Sequence, residues 1–287
     1  MTENDRKNDL PIIQWYPGHM KKTRELITSN LKLVDIVIEV IDARIPVSSR
    51  NPVIDELTAG KQRIIILNKS DLADGNETKR WMEKLGTDGI KVMTLDSMRG
   101  VGIKELLNLM TKIQDDINKD RVRKKNLRLM IVGVPNVGKS SLINRLTGKK
   151  SAKTGDKPGV TKGKQWLTLS NGMQLLDTPG ILWPKFEDES VGIKLAFCGS
   201  IKDEILDLET LALRLIELLQ DEYPKLLANR YKLDEISDEG LVNMDNIALN
   251  RGFILSKGRI DYSRCAKTVL DEFRSAQIGR ITLERAE

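Results

Sequence analysis

The string GVPNVGKS at positions 133–140 fits the pattern GxxxxGK[ST]. In such a string the glycines let backbone N–H groups turn toward phosphate oxygens, the lysine adds a positive charge, and the hydroxyl can bind Mg²⁺. An apolar run precedes the string and a helical pattern follows it, which is the context that a phosphate-binding loop requires. The sequence therefore predicts a nucleotide site here, held by Asn136, Val137, Gly138, Lys139, Ser140 and Ser141.

Two further strings downstream could complete a metal and γ-phosphate site. In DTPG (177–180), which ends an apolar run, the carboxylate of Asp177 can reach Mg²⁺ through water and the N–H of Gly180 can face the γ-phosphate. Between the two motifs, PGVT (158–161) lies in a lysine-rich stretch. Thr161 is the candidate for a second hydroxyl on the metal, and the alternative is a basic loop without a metal role.

The string NKSD (68–71) has the residue types that recognise guanine. The carboxylate of Asp71 can accept hydrogen bonds from the ring N1–H and the exocyclic amine, a donor pair that adenine lacks. Asn68 can tie this loop to the phosphate loop, and the stem of Lys69 can lie across the base. Ser97, which follows the next apolar run, is the candidate for the guanine carbonyl.

Short apolar runs must position these residues. Runs at 35–41, 63–68, 90–95, 127–133 and 173–177 alternate with helical patterns, as expected for a mostly parallel sheet with helices on both faces. From about residue 187 only helical patterns follow. We therefore expect a polar extension (1–14), an α/β nucleotide-binding domain (15–184) and a small all-α domain (185–287).

Charge is distributed unevenly over a chain whose composition is that of an ordinary folded protein. The net charge is +6, with +11 over residues 1–184 and −5 over 185–287. The N-terminal stretch lacks the apolar core of a signal peptide, so we expect a cytoplasmic protein. We expect neither a membrane nor DNA as a partner. The basic excess indicates a polyanionic partner or, alternatively, an ordinary solvated surface.

The order of the motifs is unusual, because the guanine string precedes the phosphate loop. Together with WYPGHM (15–20) and DARIP (42–46), this order resembles the ribosome biogenesis GTPase A family, circularly permuted GTPases of the translation-factor class. The similarity extends from residue 15 to FRSAQIG (273–279), where the family more often has FRSGKLG. It implies binding of GTP and GDP with Mg²⁺, and GTP hydrolysis coupled to assembly of the large ribosomal subunit.

The group that aids hydrolysis is left open by the sequence. Many GTPases place a glutamine directly after DxxG, but here Ile181 has no polar atom. The resemblance assigns a catalytic role to His19, the only histidine, which could instead cap a turn or contact RNA. It also makes Asn136 a possible K⁺ ligand, and a group acting in trans from the ribosome is a third possibility.

A cluster of basic residues in the acidic C-terminal part is the candidate rRNA surface. Residues 251–267 contain five cations and one aspartate, and Arg264, Lys267 and Arg274 are expected near one helix face. The alternative is a solvated helix face. For the whole chain, the alternative to an assembly GTPase is a nucleotide-gated RNA-binding placeholder with little catalytic role, or a GTPase in tRNA modification.

Overall fold

The computed structural model describes residues 28–58, 60–87, 89–148, 165–177 and 188–286 of the 287. These residues fall into two compact units. The sheet unit contains residues 28–177 and 280–286, and the helical unit contains residues 188–279. The expected junction near residue 184 and the extension at 1–14 lie outside the described residues.

A six-stranded sheet forms the centre of the sheet unit. Its strands are β1 (Ile36–Asp42), β2 (Gln62–Asn68), β3 (Lys91–Leu95), β4 (Arg128–Val132), β5 (Gln165–Thr168) and β6 (Gln174–Asp177). The spatial order is β3-β2-β1-β4-β6-β5, and all neighbours are parallel except β5 and β6. The five predicted strands are therefore present, and the antiparallel edge strand β5 is an addition that the sequence analysis did not predict.

Four helices whose bounds lie within the described residues cover the sheet. They are α1 (Pro52–Leu57), α2 (Gly75–Leu85), α3 (Ile103–Asn118) and α4 (Lys139–Thr147). Every residue of β1 is buried, so the strand is covered on both faces. On one face Val37 packs in a cluster with Ile54 of α1, and Ile41 packs in a cluster with Trp81 of α2. The predicted layers, helices on both faces of a mostly parallel sheet, are confirmed.

Residues 280–286 belong to the sheet unit, although they follow the helical unit in the chain. Backbone hydrogen bonds join Ile281 N to Leu72 O (3.2 Å) and Leu283 N to Arg44 O (2.8 Å). The side chain of Ile281 is buried in this position. We expected a helical domain extending to residue 287, and these contacts are the reason why it ends earlier.

The helical unit is all-α, as predicted. Its helices are α5 (Glu189–Phe197), α6 (Leu208–Glu222), α7 (Pro224–Tyr231), α8 (Gly240–Arg251) and α9 (Tyr262–Arg274), with a 3-10 turn at Asp203–Ile205. The predicted apolar stripe of α9 is buried, and α6 packs against both α8 and α9. Cys265 lies in this core, where burial raises the pKa of its thiol to about 12. In the described part of the chain, every helix is too short or too polar to cross a membrane.

Candidate nucleotide-binding site

The candidate site lies at the carboxyl edge of the sheet. Strands β1 and β4 are neighbours at the centre of the sheet. Strands β2 and β3 lie on the β1 side and strands β6 and β5 lie on the β4 side, so the direction in which strands are added to the sheet reverses between β1 and β4. In open α/β sheets a ligand binds outside the carboxyl ends of the strands at such a reversal. The loops that follow β1, β2, β3 and β4 begin at this edge, and three of them contain predicted site residues.

The phosphate loop connects β4 to α4 through backbone conformations that suit glycine. Gly133 has φ +150°, and a Cβ there would lie 2.3 Å from Val40 O. Gly138 has φ +100°, and a Cβ there would lie 2.1 Å from Asn68 Nδ2. Asn136 also has a positive φ of 59°. Either glycine would therefore resist substitution, and the loop leads directly into the N-terminus of α4, where N–H groups favour an anion.

The first turn of α4 presents the side chains expected at the phosphates. Lys139 is the first residue of the helix and is buried, with Nζ donating to Val134 O (2.6 Å). Ser140 and Ser141 follow and are half-buried. An ammonium group and a hydroxyl group beside a helix N-terminus fit a phosphate chain with bound Mg²⁺. Ser140 is the predicted Mg²⁺ ligand whose side chain the structure describes.

Asn68 joins three loops of the site. Its Nδ2 donates to Val137 O of the phosphate loop (2.6 Å) and to Ser97 Oγ (2.9 Å), while Ser97 N donates to Asn68 Oδ1 (3.0 Å). The bridge from Asn68 to the phosphate loop was predicted, and the structure contains it. Both side chains are buried. The fully used amide of Asn68 therefore fixes the guanine string, the Ser97 loop and the phosphate loop relative to one another.

Lys69 is held by Asp42, the first residue of DARIP, for which the sequence indicated no individual role. Lys69 Nζ lies 2.9 Å from Asp42 Oδ2, and Arg44 also pairs with that carboxylate at 2.7 Å. Burial alone would raise the pKa of Asp42, but the charges and hydrogen bonds of Arg44 and Lys69 outweigh it and hold the pKa well below its usual value. Asp42 therefore stays ionised and fixes the Lys69 ammonium.

Arg145 is a second contributor that sequence reasoning missed. It extends from α4 to the loop after β3, where Nε donates to Ser97 O (3.3 Å) and Nη2 donates to Met98 O. Its guanidinium also packs against Gly100. No string marks this role, since an arginine on a helix face is ordinarily solvated. Arg145 braces the backbone of the loop that carries Ser97.

Asp71 has the exposure that a base-recognition group needs. The residue is half-buried, and within the described part of the chain its carboxylate has no hydrogen-bond partner. It follows Lys69, whose φ of 57° turns the chain out of the β2 direction. The structure thus brings Asn68, Lys69, Asp71 and Ser97 to the same edge as the phosphate loop.

Several predicted residues cannot be placed in this geometry. His19, Thr161 and Gly180 lie outside the described residues. Asp177 is the last residue of β6, next to β4, but its side chain is not described. The predicted catalytic and metal roles of these residues, and the K⁺ role of Asn136, stay predictions.

The predicted basic surface of the helical unit needs a correction. Arg274 makes bonds inside the unit, to Asp203 (2.7 Å), to Phe197 O (3.0 Å) and to Ala196 O (2.9 Å). Arg251 pairs with Glu272 at 3.1 Å. Both arginines cross-link helices, because backbone and carboxylate oxygens lie within their reach.

The remaining basic residues of this region are exposed: Lys257, Arg259, Arg264 and Lys267. Arg264 lies over the ring of Phe253, with its guanidinium carbon 4.8 Å from the ring centroid.

Comparisons with known proteins agree with this geometry. A family model described as 50S ribosome-binding GTPase matches residues 128–241, a range that begins at β4. Ribosome biogenesis GTPase A of Priestia megaterium is 48% identical over 278 residues, covering 95% of this chain and 96% of that protein. The chain belongs to the ribosome biogenesis GTPase A family. It is therefore a GTPase whose ligand is a guanine nucleotide.

More distant relatives and solved structures extend the similarity. Mitochondrial ribosome-associated GTPase 1 of Mus musculus is 35% identical over 301 residues, covering 96% of this chain and 90% of that protein. A GNP-bound YlqF structure from T. maritima is 31% identical, with TM-score 0.65 over 93% of this chain and 99% of that chain. A GDP-bound YlqF structure is 30% identical, with TM-score 0.67 over 91% and 98%. The expected fold, a circularly permuted P-loop GTPase domain followed by helices, is confirmed.

Proposed function

We propose that this GTPase acts in the cytoplasm in assembly of the large ribosomal subunit and binds its rRNA in a nucleotide-dependent way. The names of the relatives and of the family model support the ribosomal part of the proposal. The observation that carries the nucleotide part is the bridge from Asn68 to Val137 O at 2.6 Å, because it joins the base-recognition string to the phosphate loop.

In the proposed site, the phosphate loop binds the phosphates and Lys139 neutralises the β- and γ-phosphate charge. Ser140 and Thr161 would hold Mg²⁺ directly and Asp177 through water. When bound, the metal neutralises charge on the phosphate oxygens. Gly180 offers its N–H to the γ-phosphate. These roles follow from residue type and motif spacing, with Ser140 at the second position of α4.

For hydrolysis we propose His19 as the residue that orients or polarises the attacking water. K⁺ bound by Asn136 is a further candidate aid. His19→Ala is expected to bind GTP as the wild type does, while turnover falls by about 10²-fold. Equal turnover in the variant, measured with large subunits present, would remove His19 from the mechanism. A matched K⁺-for-Na⁺ exchange in the same assay tests the contribution of the monovalent cation.

Guanine specificity is tested at Asp71. Asp71→Ala removes the acceptor for both guanine donors, so the preference for GTP over ATP should fall by at least about tenfold. Lys139→Ala is the matched comparison, because it should lower the affinities for GTP and ATP equally and leave the ratio of the two affinities unchanged. An unaltered GTP-to-ATP affinity ratio in Asp71→Ala, measured by competition, would contradict the assignment.

We propose the rRNA surface on the four exposed cations of the helical unit, Lys257, Arg259, Arg264 and Lys267. Charge reversal at Lys257 and Lys267 should weaken binding to large subunits and flatten its salt dependence, because fewer counterions are released. Lys225→Glu, an exposed reversal on α7, is the control. Co-sedimentation over a salt series measures both effects, and identical pelleting of the double variant and wild type would rule out this surface.

The alternative function is a nucleotide-gated placeholder that binds RNA but hydrolyses GTP slowly even on the ribosome. It shares the nucleotide site and the basic surface, so binding measurements support both functions equally. Turnover in the presence of large subunits distinguishes them.

A further inference from the structure

Residue Arg280 contacts the loop that carries the proposed guanine-recognition residue. Its Nε donates to Ala73 O at 3.0 Å, and its Nη2 donates to Ser70 O at 2.9 Å. These carbonyls lie on either side of Asp71 in the chain. One planar guanidinium with donors in a fixed geometry therefore bridges the ends of the turn that contains Asp71.

Two further hydrogen bonds attach the same segment to this loop. Ile281 N donates to Leu72 O (3.2 Å), and Asp74 N donates to Thr282 Oγ1 (3.1 Å). The side chains of Ile281 and Thr282 are each 1% exposed. Consecutive residues 280–282 thus contact the backbone at four positions between residues 70 and 74. No sequence motif predicts these contacts.

Hydrogen bonds of Glu284 hold the 280–286 segment against the rest of the sheet unit. The carboxylate of Glu284 accepts from Val47 N (2.6 Å), from Ser48 N (3.1 Å) and from Ser48 Oγ. The backbone carbonyl of Glu284 accepts from Trp81 Nε1 (3.0 Å). Because the carboxylate is buried and bound at both oxygens, the 280–286 segment has a fixed position from which it can support the loop.

We infer that the 280–286 segment positions the guanine-recognition loop, with Arg280 as the residue that sets the orientation of the Asp71 turn. The inference rests on the proposed role of Asp71. Hydrogen-bond recognition of a base requires its partner to be held within about 0.5 Å, which needs supporting contacts behind the recognition residue. Because the side-chain donors of Arg280 are directed at loop carbonyls, Arg280 acts through Asp71 and is a positioning residue.

This role has a signature that general stability does not have. Inosine triphosphate lacks the exocyclic amine of guanine, so Asp71 can accept only one of its two hydrogen bonds from that base. The ratio of GTP affinity to inosine triphosphate affinity therefore reports how well Asp71 is placed. A loss of stability alone would lower both affinities together and leave their ratio unchanged.

The experiment compares the full-length wild type with Arg280→Ala, Arg280→Lys, Arg285→Ala and Asp71→Ala. Arg285 is the matched control, because it lies in the same segment but contacts Glu77 of α2 (3.5 Å). Arg280→Ala is expected to lower the GTP-to-inosine-triphosphate affinity ratio by about fivefold, with Arg280→Lys restoring part of it. Arg285→Ala should keep the wild-type ratio.

The result separates this inference from the proposed function. If Asp71→Ala lowers the ratio and Arg280→Ala does not, the positioning role of Arg280 is wrong, even if the melting temperature of Arg280→Ala falls. If Asp71→Ala leaves the ratio unchanged, the assignment of guanine recognition itself is wrong. Should Arg280→Ala fail to fold, Thr282→Val removes the hydroxyl acceptor of Asp74 N and must lower the same ratio.

Discussion

Each unit contains a buried carboxylate held between two cations, and the two arrangements differ in what they support. In the sheet unit Asp42 binds Arg44 and Lys69, and in the helical unit Glu272 binds Arg230 and Arg251. Asp42 is fully buried, and the Arg44 side chain is 2% exposed. Glu272 is 9% exposed, but its arginine partners are 28% and 31% exposed.

The position of each carboxylate in its fold explains the difference. Asp42 ends β1 at the carboxyl edge of the sheet, so one of its partners is the lysine of the guanine string. Glu272 lies on α9, and its partners lie on the ends of α7 and α8. The same ion-pair chemistry therefore fixes a lysine of the candidate nucleotide site in one unit and joins three helices in the other.

The largest effect that could break this comparison is expected at Asp42. Asp42→Ala leaves the buried Arg44 charge without its partner, which should lower the free energy of unfolding by about 3–5 kcal/mol. It also releases Lys69, so GTP and GDP affinity should fall by about tenfold or more. Chemical denaturation and nucleotide titration measure the two effects.

Asp55→Ala is the control, because Asp55 also pairs with two arginines but is half-exposed. Asp55→Ala should lower the free energy of unfolding by no more than about 1 kcal/mol and leave nucleotide affinity unchanged. Wild-type GTP affinity in folded Asp42→Ala would show that Asp42 supports the fold and not the site.

A smaller effect is expected at Glu272. Its arginine partners remain partly hydrated, so Glu272→Ala should lower the free energy of unfolding by about 1–3 kcal/mol. Nucleotide affinity should be unchanged, because the ion pairs that Glu272→Ala removes lie within the helical unit. A parallel loss of GTP affinity in Glu272→Ala would remove the distinction between the two networks.

The smallest effect is a change in how stability depends on pH. The folded-state pKa of Asp42 lies below its unfolded value, so its contribution is present above about pH 4 and is lost as the pH falls toward the folded pKa. Burial would raise the pKa of Glu272, but the hydrogen bonds and charges of its neighbours, chiefly Arg230 and Arg251, together outweigh it and lower the pKa. The contribution of Glu272 to stability therefore depends on pH with the same sign as that of Asp42.

Denaturation between pH 3 and pH 6 therefore sharpens the comparison. The stability difference between wild type and Asp42→Asn should be constant above about pH 5 and should narrow below about pH 4. A stability difference that widens with falling pH would mean that the folded-state pKa of Asp42 is raised. That result would contradict the lowered pKa that the ion pairs with Arg44 and Lys69 produce.

The sequence was sufficient for the parts of the fold that depend on local pattern. Five strands were predictable because apolar runs lead into polar loops. The site strings were predictable because phosphate and guanine recognition restrict residue types. Strand β5 was missed, since it is four residues long and lies at an edge. Arg274 was expected on the basic surface, but it pairs with Asp203 inside the helical unit. Helical periodicity cannot predict which oxygen atoms a long side chain reaches.

The contacts that brace the site were beyond sequence reasoning for a physical reason. Ser48 and Glu284 are 236 positions apart, and Asp42 and Lys69 meet only because β1 and β2 are parallel neighbours in register. A lone glutamate or aspartate in a loop carries no sign of such a partner. Recognition strings therefore identify the residues predicted to contact a ligand, while the residues that hold them in position are found only from the fold.

The most direct test of the account is the initial rate of phosphate release from GTP by the wild-type protein as purified large ribosomal subunits are titrated in. Small subunits at equal RNA concentration provide the control. The account predicts that turnover rises with large subunits and reaches a plateau, while small subunits leave it at the basal rate. An equal, slow rate with both particles would contradict an assembly GTPase and would favour the RNA-binding placeholder.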